Sequence, residues 1–157
     1  MQTLIIETWI GAPQQACFDA ARDLDLHRTS IPNSEEEAVG GRISGLIEMG
    51  EEVTWRARHF GVRQHFTSKI TAFDAPVHFR DSMTQGAFKS FAHDHYFEER
   101  DGGTLMRDVL VFSAPLGVLG RIAEKLFLRR YLERLLVQRA AILKESIEGS
   151  AYRSRSN

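Results

Sequence analysis

Two histidines and two aspartates are spaced in a way that lets neighbouring β-strands bring them together. His93 and His95 are separated by one residue, and alternate residues of a strand point to the same face of a sheet. Asp81 and Asp108 lie in the segments before and after them. A histidine beside a carboxylate can hold a polar ligand atom, act as a general acid or base, or chelate a metal ion. The four side chains could equally form a buried network that serves stability alone.

The register of one predicted hairpin places His95 directly opposite Asp108. Asp101-Gly102 is a two-residue sequence typical of tight hairpin turns, and it pairs Arg100 with Gly103. Counting outwards along both segments then brings residues 95 and 108 level with each other. Directly opposed Cβ atoms lie about 5 Å apart, which is close enough for a histidine–carboxylate hydrogen bond.

A turn around Gly86 sets a second register, in which Asp81 lies near Phe91 and diagonal to His93. All four ionisable residues then fall on the same, otherwise apolar, face of the sheet. We therefore predict a polar cluster made of Asp81, His93, His95 and Asp108.

The segments that carry this polar cluster have the two-residue hydrophobic period of β-strands. Apolar side chains occupy alternate positions in five runs between residues 51 and 114. Short breaks separate the runs, at Gly61, Ala75-Pro76, Gly86 and Asp101-Gly102. Strands joined by such short turns form an antiparallel meander.

The residues before the meander predict one strand and two short helices. Thr3–Ile10 is rich in β-branched and aromatic residues and predicts a strand. Residues 13–23 have helical periodicity, and residues 24–29 predict a second helical turn. The stretch from Ser30 to Gly45 has the composition of a loop, with a short strand near 42–47.

Beyond Pro115 the hydrophobic period changes to 3.6 residues, which predicts one long helix over 121–148. The helix is apolar over more than one stripe and needs a concave partner, which a bent sheet supplies. We predict one α+β domain over residues 1–148, in which a curved antiparallel sheet of about seven strands wraps the long C-terminal helix in the order β-α-α-β meander-α. Residues 149–157 are predicted to form a mobile tail.

The sheet face that carries the polar cluster is rich in aromatic residues, which favours a cavity between the sheet and the C-terminal helix. Ligand pockets combine apolar walls with a few polar groups, although such aromatic residues are also ordinary core residues. The candidate ligand-binding residues are Trp55, Phe66, Phe79, Asp81, Phe91, His93, His95, Asp108, Leu110, Phe112, Phe127 and Tyr131. The candidate catalytic residues are His93, His95 and Asp108.

The composition excludes several classes of protein. The 157 residues include 20 Lys and Arg and 21 Asp and Glu, so the net charge of -1 lacks the basic excess of a nucleic-acid binder. Cys17 is the only cysteine, which rules out an internal disulfide, and we expect it to be inert packing. No nucleophile motif, phosphate-binding glycine loop or dinucleotide fingerprint occurs, so no cofactor is expected. His-x-His alone is too weak a signal to predict a metal site, and none is expected.

The sequence shows neither a signal peptide nor a membrane span, which predicts a cytoplasmic protein. The first residues lack the basic region of a signal peptide, and no apolar stretch approaches the roughly 20 residues of a membrane span. Glu35-Glu36-Glu37 is predicted to be solvated loop. The basic residues Arg129, Arg130, Arg134 and Arg139 are predicted to form a solvated helix face, which could touch an anionic membrane surface during ligand uptake.

Several sequence stretches resemble the START/Bet v 1-like superfamily, also called SRPBCC, and within it the branch of ligand-binding and cell-division-inhibitor-like proteins. The resemblance covers about residues 3–147, and its more specific pieces are His-x-His-x-Phe and Met-x-Asp. The matching stretches are GEEVTW at 50–55, FRD at 79–81, GAF at 86–88, FAHDHYF at 91–97, TLMRD at 104–108 and PLGVLG at 115–120. The resemblance implies a helix-grip fold whose cavity binds small lipids, polyketides, sterol-like molecules or quinones. It implies no particular set of catalytic residues.

Three functions are consistent with these features. The leading hypothesis is a protein that binds or carries a small hydrophobic molecule, because the inner face is apolar and no recognised catalytic motif accompanies it. The alternative is an enzyme of cyclase or dehydratase type that uses His93 or His95 with Asp108 as acid and base. The third is an interaction protein whose core is filled and which binds no small molecule.

Overall fold

The computed structural model describes residues 1–30 and 35–149, which form an antiparallel sheet with helices packed on one face. The seven strands are β1 (Gln2–Ile10), β2 (Glu37–Gly41), β3 (Glu52–His59), β4 (Val62–Asp74), β5 (His78–Gln85), β6 (Ser90–Arg100) and β7 (Gly103–Ser113). The helices are α1 (Gln14–Ala21), α2 (Leu24–Thr29), α3 (Gly117–Ala123) and α4 (Arg129–Glu148). The predicted α+β class and element order are confirmed.

The strands form one sheet in the order β1-β7-β6-β5-β4-β3-β2. Each meander strand pairs with its neighbours in sequence, and β1 adds to the edge of β7. Asp101 and Gly102 have φ values of 51° and 75°, as the tight turn requires, and Arg100 pairs with Gly103. The hairpin predicted from the sequence is therefore confirmed residue by residue.

Register shifts in β4 bend the sheet. They lie between Thr67 and Ser68 and between Ile70 and Ala72, where β4 pairs with β5. Such a bulge puts an extra residue into one strand and increases its bend and twist. The curvature lets the sheet wrap around the C-terminal helix, as the sequence predicts.

The C-terminal helix runs without a break from Gly117 to Glu148, but its winding changes once. Glu124–Leu128 form a π-helical turn between α3 and α4. Glu124 is buried in this turn, and its Oε1 accepts a 2.5 Å hydrogen bond from the amide of Ala114 just after β7. The predicted long helix is confirmed, with an earlier start than 121 and with the added π turn.

The core lies between the sheet and the helices. Phe18 of α1 is fully buried, and its ring meets those of Phe73, Phe79 and Phe97 edge to face with centroids 5.3–5.5 Å apart. Burying a ring of this size contributes roughly 1.5–3 kcal/mol. Cys17 is also fully buried, and burial raises the pKa of its thiol, as inert packing requires.

Two predictions about local structure need correction or lie outside the described residues. The short strand expected near 42–47 is β2, which ends at Gly41, and its glycines hide the two-residue period from the sequence pattern. Residues 150–157 of the predicted tail lie outside the described part of the chain. Within residues 1–30 and 35–149, no helix is both long and apolar enough to cross a membrane.

Candidate functional site

Three adjacent strands assemble the polar cluster. Strand β5 contributes Asp81, β6 contributes His93 and His95, and β7 contributes Asp108. His95 lies directly opposite Asp108, which confirms the predicted register, and the two residues are 1% and 4% exposed. Asp81 lies directly opposite His93 rather than Phe91, because the β5–β6 connection is wider than a tight turn. That shift spans two residues, so Asp81 keeps its predicted face of the sheet.

The hydrogen bonds of the cluster run diagonally to the strand pairing. His93 Nε2 donates to Asp108 Oδ1 at 3.0 Å, and His95 Nε2 donates to Asp81 Oδ2 at 2.9 Å. His95 Nδ1 is also 2.9 Å from Asp108 Oδ1, although the two are not aligned as a hydrogen bond. Ser68 Oγ donates to Asp81 Oδ1 at 3.2 Å. His95 therefore lies between two carboxylates.

The charges of the cluster follow from burial and from these contacts. Burial disfavours the ionised aspartates, but the hydrogen bonds and charges of the histidines outweigh it and lower the pKa of both Asp81 and Asp108. Burial and the charge of His95 lower the pKa of His93. Burial also acts to lower the pKa of His95, yet its contacts with Asp108 and Asp81 raise it above the ordinary value of 6.5. The environment thus favours two carboxylates, a neutral His93 and a protonated His95.

Part of the cluster has the composition of a metal site. One ligand atom each from Asp81, His93 and His95 lies within 4.8 Å of the others. Imidazole and carboxylate together suit first-row transition metals, and Asp108 would orient both imidazole rings. His95 Nε2 and Asp81 Oδ2 are already hydrogen-bonded to each other. The expectation that no metal binds stays a prediction.

A cavity of about 390 Å³ lies between the sheet and the C-terminal helix. Most of its wall is aromatic or aliphatic, and Leu132, Leu135 and Leu136 are the aliphatic residues that α4 contributes. The volume falls in the range of about 300–1,000 Å³ that is typical of small-molecule pockets. The polar cluster gives this apolar cavity a localised polar wall, because Asp81 and His95 are part of its surface.

Nine of the twelve candidate ligand-binding residues line this cavity. They are Trp55, Phe66, Phe79, Asp81, Phe91, His93, His95, Leu110 and Tyr131. Asp108 lies beyond the histidines, and Phe112 is fully buried in the core beside Leu4. Phe127 does not line the cavity and is 66% exposed. Whether the nine residues contact a ligand stays a prediction.

The structure adds Arg139 to the cavity wall, which corrects its prediction as a solvated residue. Arg139 is 8% exposed, lines the cavity, and donates from Nη2 to the carbonyl oxygen of Ala21 at 3.2 Å. The sequence contains a signal for this position, because Arg139 lies three, four and seven residues after Leu136, Leu135 and Leu132. These spacings place it on the same face of a helix. The prediction grouped Arg139 with Arg129, Arg130 and Arg134 because of its charge, and so missed this spacing.

A second group of polar side chains also lines the cavity. Glu36 is turned inward, with Oε1 3.4 Å from His27 Nε2, which contradicts its prediction as solvated loop. The His27 ring stacks on Trp55 with centroids 4.5 Å apart. His59 Nδ1 and the Tyr131 hydroxyl are hydrogen-bonded to each other. Burial lowers the pKa of His59 and raises that of Tyr131, so both neutral forms are favoured.

Known structures share this architecture over nearly the whole chain. The protein TTHA0849 from Thermus thermophilus matches with a TM-score of 0.76 and 18% identity, over 93% of this chain and 97% of that one. The major latex-like protein 151 of Panax ginseng matches with a TM-score of 0.69 and 13% identity, over 94% and 98%. Ara h 8.0201 matches with a TM-score of 0.67 and 16% identity, over 93% and 97%. No family model matches the sequence, and neither does any curated protein.

The chain has a helix-grip fold, which it shares with these solved structures. This confirms the fold that the sequence resemblance implies. Identities between 13% and 18% carry the fold alone, so the function rests on the site itself. The assignment to the ligand-binding and cell-division-inhibitor-like branch stays a prediction.

Proposed function

We propose that the protein binds or carries a small hydrophobic molecule in the cavity between the sheet and the C-terminal helix. The observation that carries this proposal is the cavity of about 390 Å³ with aliphatic and aromatic walls. Apolar walls offer water no hydrogen bonds. An apolar ligand that covers these walls gains about 25 cal/mol of binding free energy for each Å² of apolar surface removed from water. The ligand classes that fit are lipids, polyketides, sterol-like molecules and quinones.

Thermal unfolding in the presence of hydrophobic compounds tests this proposal. A ligand at 100 times its dissociation constant stabilises the folded protein by about 2.7 kcal/mol, which raises Tm by several degrees. We expect such a rise for at least one lipid, sterol, polyketide or quinone in a panel drawn from these four classes. The absence of any rise across the whole panel would contradict the proposal.

A second candidate function is acid–base catalysis of the cyclase or dehydratase type. The observation that favours it is His95, which lines the cavity between two carboxylates in an environment that favours its protonated form. A molecule extracted from the protein and incubated with fresh protein would then be converted, and His95→Gln would stop the conversion while leaving binding intact. Unchanged extract in the presence of the wild type supports the carrier function instead.

We also propose that the ligand enters from an anionic lipid surface, which contacts a patch beside the cavity. This entry patch consists of Phe60, Leu116, Val118, Leu119, Ile122, Leu126 and Phe127, each more than half exposed. Phe60 also lines the cavity and packs against Tyr131 with ring centroids 4.3 Å apart, so the patch adjoins the cavity. Exposed apolar clusters of this kind mark surfaces that bind other molecules.

The charges around the entry patch select a negatively charged surface as its partner. Arg121, Lys125 and Arg130 are exposed, whereas Glu124, the acidic residue of the same stretch, is buried against the amide of Ala114. An apolar helix face flanked by basic residues is typical of binding to anionic lipid. Of the basic face expected from the sequence, Arg130 and Arg134 are exposed, whereas Arg139 is buried and Arg129 donates to the Thr3 carbonyl at 2.9 Å.

A further inference from the structure

Arg139 is a buried cation on the cavity wall with hydrogen-bonding capacity to spare. Its Nη2 donates to Ala21, but its buried Nε has no hydrogen-bond partner among the described residues. A guanidinium only donates, so the group that completes it must be an acceptor. A buried donor without a partner costs free energy, which a ligand that supplies an acceptor would recover.

The charge of the surroundings decides which acceptor fits. Asp81 and Asp108 carry two negative charges in the favoured state of the cluster, and His95 and Arg139 carry two positive ones. The positive charge of Arg139 also favours the ionised form of Asp81, so the two groups attract each other across the cavity wall. A ligand carboxylate would add an uncompensated negative charge beside Asp81 in a mainly apolar cavity, which is costly. A neutral acceptor adds none.

We propose that Arg139 donates a hydrogen bond to the carbonyl oxygen of a neutral hydrophobic ligand and thereby selects this class over hydrocarbons and carboxylates. The inference rests on the proposed binding function and specifies its ligand as a ketone, quinone, ester or similar compound. Arg139 is the polar anchor, and the leucines of α4 beside it contact the apolar body of the ligand. This arrangement follows from the position of Arg139 on the same face of α4 as Leu132, Leu135 and Leu136, all of which line the cavity.

Three probes that share two phenyl rings test this selection. Benzophenone has a carbonyl group between the rings, diphenylmethane has a methylene group, and diphenylacetate carries a carboxylate. Calorimetric titration of the wild type should give the tightest binding for benzophenone, by about tenfold over diphenylmethane, since a hydrogen bond from a charged donor contributes that much. Arg139→Met keeps an apolar chain of similar length and should bind both probes equally. Arg134→Met, on the exposed part of the same helix, is the matched control and should keep the preference.

The outcomes separate this inference from the binding function. Equal binding of benzophenone and diphenylmethane by the wild type would overturn the inference and leave the binding function intact. Tighter binding of diphenylacetate that is lost in Arg139→Met would overturn the neutral class and show that Arg139 binds anions. Failure of the wild type to bind any probe would contradict the binding function, and the inference with it. If Arg139→Met does not fold, Arg139→Leu takes its place and should likewise bind benzophenone and diphenylmethane equally.

Discussion

His95 lies between Asp81 and Asp108, and this arrangement couples the stability of the protein to pH. The imidazolium form of His95 is stabilised in the folded state, because both carboxylates contact it within 2.9 Å. Its ring also stacks on Phe79 with centroids 4.3 Å apart, a position in which an aromatic face attracts a cation. A group whose pKa rises on folding stabilises the protein most when it is protonated in both states.

Replacement of His95 should therefore change the pH dependence of stability. The pKa of His95 is raised above 6.5, so its contribution is complete below that pH and is lost as the pH rises through the folded-state pKa. We expect the wild type to exceed His95→Gln in free energy of unfolding below pH 6.5, with the difference shrinking at higher pH. Urea denaturation of both proteins across this range measures it. A difference that stays constant or grows with pH would contradict the arrangement.

The sequence could predict which residues of the cluster meet, but not which of them are bonded. Strand parity and one tight turn are enough to place His95 opposite Asp108. The observed bonds instead join His93 to Asp108 and His95 to Asp81, because side-chain torsions decide between direct and diagonal neighbours.

The sequence prediction for Arg139 was wrong for a different reason. Its charge suggests solvent, whereas the helical spacing that it shares with apolar residues places it inward.

The C-terminal helix was predictable as an element, but its π turn was not. Its period of 3.6 residues and its apolar width indicate the length and the concave partner. Nothing in that pattern shows the extra residue of the turn at Glu124–Leu128, or the hydrogen bond that Glu124 accepts from the Ala114 amide. Phe127, expected in the cavity, lies off the stripe of Leu132, Leu135 and Leu136 and belongs to the entry patch instead.

The entry patch should bind vesicles in a charge-dependent way. We expect the protein to cosediment with vesicles of phosphatidylcholine and phosphatidylglycerol, more weakly at high salt, and hardly at all with phosphatidylcholine alone. Phe127→Ser should lower binding roughly tenfold, because it removes a large apolar contact. Val137→Ser is the matched control, since Val137 is 49% exposed outside the patch.

Two outcomes would contradict lipid binding by the entry patch. In the first, the protein does not bind anionic vesicles and forms a dimer in sedimentation equilibrium, which Phe127→Ser dissociates. The patch would then bind a second copy of the chain. Vesicle binding that is insensitive to Phe127→Ser would place the lipid contact elsewhere.

At the scale of the whole molecule, the core falls into two clusters of buried hydrophobic residues among the described residues, and the cavity lies between the sheet and the C-terminal helix. One cluster contains Phe18, Phe79 and Ile147, and the other contains Leu4 and Leu136. The aromatic inner face predicts a cavity from the sequence. Its volume could not be predicted, because it depends on bulges in β4 and on the packing of α4.

Native mass spectrometry of freshly purified protein, followed by organic extraction, tests the binding function most directly. We expect a hydrophobic adduct in the wild type and in Val137→Trp, whose added ring lies on the exposed side of α4. Leu135→Trp should give the mass of the bare chain, since its ring would occupy the cavity that Leu135 lines. An adduct that persists in Leu135→Trp, or bare chains for all three folded proteins, would contradict ligand binding in this cavity.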